Sequence, residues 1–221
     1  MTPMAVRPEI LAQLETLDVA PDRPLIISDA DEVLLRFMER MEHWLEARGL
    51  WIDLDRYAIT GNIRSRETDE VVEIPNILDE FFAVETAHIA PVAGAAHALQ
   101  KLSERAQILV FSNLPETQKQ TRHDNLSGHG MAYPLVVGSG AKGPPVAWLE
   151  ERMNAPVFFL DDIPHHIDSV AEHAPNVYRI HFVADPRLGR PIGAADGATA
   201  RIDVWNEAHD WISARLASYG F

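Results

Sequence analysis

The sequence predicts an α/β fold, in which a parallel sheet is covered by helices on both faces. Three short apolar runs, at residues 25–28, 108–111 and 157–160, each end in polar residues and precede a helical pattern. Strands that alternate with helices in this way form βαβ units and pair in parallel. Continuous apolar runs are typical of strands that are buried on both faces. Two further runs, at residues 134–138 and 178–183, are expected to extend the same sheet.

The segment between the first two predicted strands is too long for a single crossover helix. Apolar residues recur every three or four positions from Leu34 to Leu45, which predicts a helix that ends at Gly49. A second helix is predicted to begin near Asn76, whose side chain is suited to cap it. The run at residues 95–102 then has the pattern of an ordinary crossover helix.

These patterns divide the chain into a core and an insertion. We assign residues 1–35 and 91–221 to an α/β core, and residues 36–90 to a small, mainly helical cap inserted after the first strand. Such an insertion would lie over the carboxyl edge of the sheet, which makes it a candidate lid. Near the C-terminus, residues 186–197 are rich in Gly, Pro and Ala and are expected to form a loop, and Asn206 is expected to cap the last helix.

Composition narrows the range of partners. The 221-residue chain is 47% hydrophobic and has a formal net charge of -14. An acidic surface gains nothing from counterion release, which argues against nucleic acid polymers and anionic membranes as partners. The chain has no cysteine, so disulfides, zinc–thiolate sites and thiol catalysis are excluded. No stretch reaches the roughly 18 apolar residues of a membrane span, and the N-terminus lacks the apolar core of a signal peptide. We therefore expect a soluble, cytoplasmic protein, and the sequence does not predict its oligomeric state.

Polar side chains follow the apolar runs at the points where the strands are predicted to end. Asp29 and Asp31 follow the first run, and Ser112 and Asn113 follow the second. Ligands of parallel sheets bind beyond the carboxyl ends of the strands, so these side chains are expected to share one site. A hydroxyl, an amide and the N–H groups of a turn are suited to hold phosphate oxygens.

A lysine and two more carboxylates are expected at the same edge. Lys142 precedes a predicted helix, where its ammonium would supply a point charge for a phosphoryl group. Asp161 and Asp162 follow the run at residues 157–160. Four carboxylates beside one lysine would repel one another, and a bound divalent cation relieves that repulsion. Because the ligands are hard oxygens and no thiolate is present, the preferred cation is Mg²⁺.

Taken together and in this order, the motifs resemble those of the haloacid dehalogenase (HAD) superfamily, in its aspartate-nucleophile phosphatase branch. The resemblance covers roughly residues 22–185, and it extends to residues 36–90 only through the position of the cap. It implies a Rossmann-like core that carries a helical cap. The matching motifs are Asp29-Ala30-Asp31-Glu32-Val33, Ser112-Asn113, Lys142 followed by Gly-Pro-Pro, and Asp161-Asp162.

The resemblance also implies a catalytic role for each motif residue. Asp29 would be the nucleophile that attacks phosphorus and becomes an aspartyl phosphate. Asp31 would protonate the leaving oxygen and then deprotonate the hydrolytic water. Ser112 and the backbone of Asn113 would hold the phosphoryl oxygens, and Lys142 would neutralise their charge.

For the metal, the resemblance implies that Mg²⁺ is held by Asp29, the carbonyl of Asp31 and Asp162. Asp161 would either ligate the metal directly or orient a metal-bound water. The implied activity is Mg²⁺-dependent hydrolysis of a small phosphorylated metabolite. The dehalogenase branch lacks the second aspartate, so Asp31 favours phosphate chemistry. Glu32 stands where many relatives have glycine, and the Asp-Glu-Val-Leu stretch favours nucleotide-like substrates.

Taken singly, these residues have plainer explanations, and other functions stay open. Asp29 and Asp31 suit a turn or a helix cap, and Lys142 suits an exposed surface. The neighbouring His165 and His166 are more typical of a helix with one histidine in solvent than of a metal site. Arg64 and Arg66 and the cap aromatics are more typical of solvated charges and of packing. The alternative functions are a catalytically idle phospholigand-binding or regulatory relative, and a phosphotransferase or dehalogenase on the same fold.

Overall fold

The computed structural model describes residues 6–55 and 58–221. Its main sheet has six strands, all of whose neighbours pair in parallel, in the order β5-β4-β1-β6-β7-β8. The predicted α/β fold with a parallel sheet is thereby confirmed. The strands are β1 Leu25–Ser28, β4 Gln107–Asn113, β5 Leu135–Gly138, β6 Val157–Asp161, β7 Tyr178–His181 and β8 Ala200–Arg201, and β2 Leu50–Ile52 and β3 Ile63–Ser65 form a separate antiparallel pair.

Helices cover both faces of the main sheet. Successive residues of the central strand β1 point to opposite faces, so each face carries an apolar core against which helices pack. Ile26 belongs to one apolar core with α4 and α9, whereas Ile27 belongs to a second core with α1, α6 and α7. The helices of the described residues are α1 Pro8–Leu14, α2 Phe37–Glu46, α3 Ile77–Glu85, α4 Ala95–Ser103, α5 Lys119–Gly128, α6 Gly143–Glu150, α7 Pro164–His173, α8 Pro186–Gly189 and α9 Trp205–Ser218, with 3-10 turns at Thr86–His88 and Glu116–Gln118.

The segment predicted as a cap contains α2, α3 and the β2–β3 pair. Its two ends lie side by side, since Arg36 N donates to Ala90 O at 2.8 Å and Leu35 bridges to Pro91. The two helices meet through aromatic side chains, with Phe81 5.1 Å from Phe37 and 5.8 Å from Trp44 between ring centroids. The β2–β3 pair was not predicted, because strands of three residues leave too little alternation to recognise.

Two predicted details near helix ends are wrong, and a third is right in position only. Asn206 does not cap α9, which begins at Trp205 with Val204 in the cap position. Asn76 holds the cap position directly before α3, as predicted, but it has a left-handed backbone and its side chain makes no capping hydrogen bond. The predicted loop at residues 186–197 contains α8, which Asp185 caps by accepting a hydrogen bond from Arg187 N.

The helix predicted from Leu34 to Gly49 begins later and ends earlier, at Phe37 and Glu46. Leu34 lies instead in a turn that returns to the core, where its backbone N donates to Ala30 O at 2.9 Å. None of the helices in the described part of the chain is long and apolar enough to cross a membrane.

Candidate active site

The carboxyl edge of the sheet brings together the polar residues that the sequence places at strand ends. β4, β1 and β6 are neighbours, and Asp29 continues the ladder beyond β1 by donating its backbone N–H to Leu160 O at 2.8 Å. Ser112 and Asn113 are the last two residues of β4, and Asp161 is the last residue of β6. Parallel pairing therefore fixes these residues side by side.

Lys142 joins two of the carboxylates. Its Nζ lies 2.7 Å from Asp29 Oδ1 and 2.7 Å from Asp161 Oδ2, and its side chain is only 1% exposed. Burial lowers the pKa of Lys142, but the charges of Asp161 and Asp29 outweigh burial and raise the pKa above its ordinary value. The ammonium is therefore held in its charged form between the two strands.

Gly143 allows Lys142 to reach this position. It begins α6 directly after the lysine, and a Cβ atom at Gly143 would lie 2.3 Å from Ser169 O of α7. The backbone N–H of Gly143 donates to Ser169 Oγ at 3.2 Å. A glycine is required here because α6 and α7 approach too closely for any side chain.

Three buried aspartates form a group that fits a hard cation. One carboxylate oxygen from each of Asp29, Asp161 and Asp162 lies within 4.8 Å of the others. Burial raises the pKa of Asp29, and the charge of Asp161 adds to that rise while Lys142 opposes it. Burial likewise raises the pKa of Asp161 against the effect of Lys142. One lysine cannot neutralise three carboxylates, so a divalent cation with oxygen ligands suits the group.

The end of β4 supplies a hydroxyl and an amide. Ser112 Oγ is buried and has no hydrogen-bond partner, which leaves it available to a ligand. Asn113 Nδ2 donates to Gly140 O at 3.0 Å and lies 3.1 Å from His166 Nε2. The amide of Asn113 therefore holds the loop that leads to Lys142, and only its buried Oδ1 has no partner.

Of the two adjacent histidines, His165 is exposed and His166 is buried. Because Asn113 Nδ2 donates, His166 Nε2 must accept, so the ring is neutral with its proton on Nδ1. Burial lowers the pKa of His166 to about 2, and the charge of Lys142 contributes. A second fully buried histidine, His181 on β7, was missed by the sequence analysis, and its Nε2 lies 2.9 Å from Asp162 O.

Asp31 is held by an arginine that the sequence analysis also missed. Arg122 Nη1 donates to Asp31 Oδ1 at 2.8 Å, and Nη2 donates to Oδ2 at 3.2 Å. The arginine side chain is 0% exposed and that of Asp31 is 17% exposed. Burial raises the pKa of Asp31, and the guanidinium acts in the opposite direction. Nothing in the sequence distinguishes Arg122 from a solvated charge on α5.

Glu32 connects the site to the cap. It has a left-handed backbone with φ of +55°, a conformation in which glycine is the usual residue. Glu32 Oε1 accepts from Met38 N at 2.6 Å, and Oε2 accepts from Asp185 N at 3.2 Å. Burial raises the pKa of Glu32 to about 7. The carboxyl group of Glu32 thus joins the start of α2 to the loop after β7.

The weaker arginine candidates are engaged within the cap. Arg64 Nη1 donates to Asp69 O at 2.7 Å, and Arg66 forms an ion pair with Glu46 at 3.2 Å. A cleft of about 850 Å³ lies between α1, the cap helix α3 and the ends of β4 and β5. Leu78, Asp79 and Phe82 of α3 line it opposite Asn113 and Leu114. The cleft therefore has one wall from the cap and one from the strand ends.

Solved structures share this architecture. A HAD-like family hydrolase from Xanthomonas campestris aligns with 91% of the chain and 99% of its own length, at a TM-score of 0.56 and 11% identity. CbbY from Rhodobacter sphaeroides, solved with phosphate, aligns with 83% of the chain and 95% of its own length, at a TM-score of 0.54 and 16% identity. YfnB from Bacillus subtilis, solved with magnesium, aligns with 87% of the chain and 99% of its own length, at a TM-score of 0.54 and 10% identity.

The chain therefore has the fold of the HAD-like hydrolases, with a Rossmann-like core and an insertion after its first strand. Neither a protein-family profile nor a curated protein matches it in sequence.

Proposed function

We propose that the protein is a Mg²⁺-dependent phosphohydrolase that acts on a small phosphorylated metabolite through an aspartyl-phosphate intermediate. The observation that carries this proposal is the position of Lys142, whose Nζ lies 2.7 Å from both Asp29 and Asp161 at the carboxyl edge of the sheet. A phosphoryl group placed there meets a carboxylate, an ammonium and the free hydroxyl of Ser112. The shared fold with HAD-like hydrolases supports the same chemistry.

In the first step, a carboxylate oxygen of Asp29 attacks phosphorus in line with the leaving oxygen. The new phosphorus–oxygen bond to Asp29 forms while the bond to the leaving group breaks, and Asp31 gives a proton to the departing oxygen. Ser112 Oγ donates a hydrogen bond to a phosphoryl oxygen, and Lys142 offsets the developing negative charge. Phosphoryl transfer depends mainly on such positioning and electrostatic stabilisation.

In the second step, Asp31 removes a proton from a water molecule that attacks the aspartyl phosphate. The bond between phosphorus and Asp29 breaks, inorganic phosphate is released and the Asp29 carboxylate is restored. When bound, Mg²⁺ supplies positive charge that offsets the carboxylates and the phosphoryl oxygens. No other co-reactant is needed, because water provides the oxygen.

The residues proposed to hold Mg²⁺ are Asp29, Asp162 and the backbone carbonyl of Asp31. Both carboxylate oxygens of Asp161 are already engaged, since Oδ2 accepts from Lys142 at 2.7 Å and Oδ1 accepts from Ile163 N at 2.9 Å. We therefore assign Asp161 to orienting Lys142 and the following turn, and Asp162 to direct ligation. The magnesium in the YfnB structure supports a metal on this fold.

The cap gives the nucleotide alternative little support. Phe37, Trp44 and Phe81 are buried and their rings pack together within the cap, so these three rings form no base-stacking platform. Phe82 packs against Phe37 and Phe81, and it also lines the cleft although it is only 5% exposed. The substrate is accordingly proposed as a small phosphorylated metabolite without a required base.

Substitution Asp29→Asn tests the proposed nucleophile. An amide is a poor nucleophile, so we expect hydrolysis of an aryl phosphate in Mg²⁺ to fall by at least about 10³-fold. Asp210→Asn is the control, because the Asp210 side chain is 83% exposed on α9. Activity that survives Asp29→Asn, or that is the same without Mg²⁺ after chelation, would contradict the proposal.

Product analysis separates the alternatives. A phosphohydrolase releases inorganic phosphate, a phosphotransferase delivers the phosphoryl group to an added acceptor, and a dehalogenase releases halide from a haloacid. An idle binding relative would release none of these, and it would retain phosphate binding after Asp31→Asn.

A further inference from the structure

Arg122 is a buried cation that forms an ion pair with the carboxylate of Asp31. It lies on α5, is 0% exposed, and its bonds to Asp31 at 2.8 and 3.2 Å form a two-pronged contact. A buried charge is costly unless it is paired and hydrogen-bonded. The planar guanidinium matches the two oxygens of a carboxylate in a way that the ammonium of lysine does not. The chain thus buries an arginine beside the proposed acid–base residue.

The neighbouring polar residue on the same face of α5 has a different task. Asn125 lies one helical turn after Arg122, and its Nδ2 donates to Ala87 O and Ile89 O, each at 3.1 Å. Those bonds fasten α5 to the end of the cap segment and satisfy the Nδ2 donors of the buried amide. Arg122 instead reaches Asp31, with its Cζ atom 5.7 Å from the ring centroid of Phe82.

We propose that Arg122 is the positioning residue for Asp31, a role that rests on the proposed phosphohydrolase function. The rigid fork fixes the side-chain rotamer of Asp31, whose carboxylate is 17% exposed and borders the site. A general acid must lie within hydrogen-bond reach of the leaving oxygen, so its orientation controls proton transfer. Both oxygens of Asp31 accept from this fork, so one of the two bonds gives way when Asp31 meets the leaving oxygen.

This role predicts that the loss of kcat/KM in an Arg122 variant depends on the leaving group of the substrate. An alkyl phosphate needs a proton on its departing oxygen, whereas an aryl phosphate with an acidic phenol leaves without one. Because kcat/KM reports the steps up to release of the leaving group, we expect Arg122→Met to lower it about 10²-fold for an alkyl phosphate but less than about threefold for the aryl phosphate. Asp31→Asn should show the same difference between the two substrates. The double variant Asp31→Asn/Arg122→Met should have nearly the same kcat/KM as Asp31→Asn alone.

Two further variants separate positioning from folding. Arg122→Lys keeps the charge and most of the bulk but loses the two-pronged contact. We therefore expect a smaller difference in kcat/KM between the alkyl and the aryl phosphate, in the same direction. Asn125→Ala removes a buried hydrogen-bonding side chain from the same face of α5 without touching Asp31. A structural defect would lower kcat/KM equally for both substrates, as we expect for Asn125→Ala. An equal loss of kcat/KM for the two substrates in both Arg122 variants would overturn the proposal.

Crystal structures of the wild type and of Arg122→Lys, each with Mg²⁺ and beryllofluoride, give a readout that does not depend on turnover. We expect the Asp31 carboxylate to be ordered in the wild type and to leave that position in the variant, while the adduct on Asp29 forms in both. If Asp31 keeps its position in the variant, the positioning role is wrong. If the wild type shows neither adduct nor hydrolysis, the proposed function is wrong, and the Asp31 position still decides whether Arg122 holds it.

Discussion

The carboxyl edge of the sheet and the cap differ in what fixes their side chains. At the sheet edge, Asp29, Ser112 and Asp161 are placed by backbone pairing between neighbouring strands. In the cap, α2 and α3 are placed by aromatic side chains that pack against one another. The sheet edge is therefore set by hydrogen bonds that any sequence can make, whereas the cap is set by the particular side chains it carries.

Among the described residues, two sets of side-chain polar contacts join α2 of the cap to the core. Glu32 joins the start of α2 to the loop after β7, and Arg187 on α8 forms a bidentate pair with Glu42 of α2 at 2.8 and 2.7 Å. The Arg187 side chain is 50% exposed, so solvent screens that pair and its contribution is small. A comparison of substitutions in the two regions should therefore separate loss of chemistry from loss of cap packing.

Lys142→Met should have the largest effect, because it removes the charge that joins Asp29 to Asp161. Breaking a buried ion pair leaves uncompensated charge and costs about 3–5 kcal/mol of unfolding free energy. We also expect hydrolysis of the aryl phosphate to fall below detection. Denaturant unfolding and steady-state turnover measure the two effects, with Lys101→Met as the exposed control. A fully stable and active Lys142→Met variant would show that the sheet edge does not depend on this contact.

Phe81→Ala should affect the cap and leave the sheet edge intact. Phe81 is fully buried and contacts Phe37, Trp44 and Phe82, so removing its ring is expected to cost about 3–5 kcal/mol. The expected signature is lower stability with Mg²⁺ binding to the aspartates unchanged. Calorimetric titration with Mg²⁺ measures the second quantity, and the exposed Val84→Ala is the control on the same helix. Weaker Mg²⁺ binding in Phe81→Ala would mean that the two regions are coupled.

The same contrast explains what the sequence predicted. β1 was predicted with its exact bounds, and the polar residues expected at the strand ends lie there, because an apolar run and the polar residues after it are local features. Arg122 and His181 were missed because their roles depend on partners far along the chain, Asp31 and Asp162. The short elements β2, β3, β8 and α8 were missed because two to four residues carry no periodicity. Asn206 was misassigned because α9 begins one residue earlier, at Trp205.

His166→Gln should have the smallest effect and should appear only in acid. In the unfolded chain the histidine has a pKa of about 6.5 and binds a proton below that pH. In the folded protein, burial keeps the pKa of His166 at about 2. Stability is therefore fully present above about pH 6.5 and is lost as the pH falls, by up to about 1.4 kcal/mol per pH unit. Glutamine cannot take up that proton, yet it offers an oxygen near the position of Nε2 that can accept from Asn113 Nδ2. We expect the variant to lose less stability than the wild type between about pH 6.5 and 4.5 in denaturant unfolding. The exposed His165→Gln is the matched control, and a wild-type slope that His166→Gln leaves unchanged would place the acid sensitivity of the sheet edge in other groups.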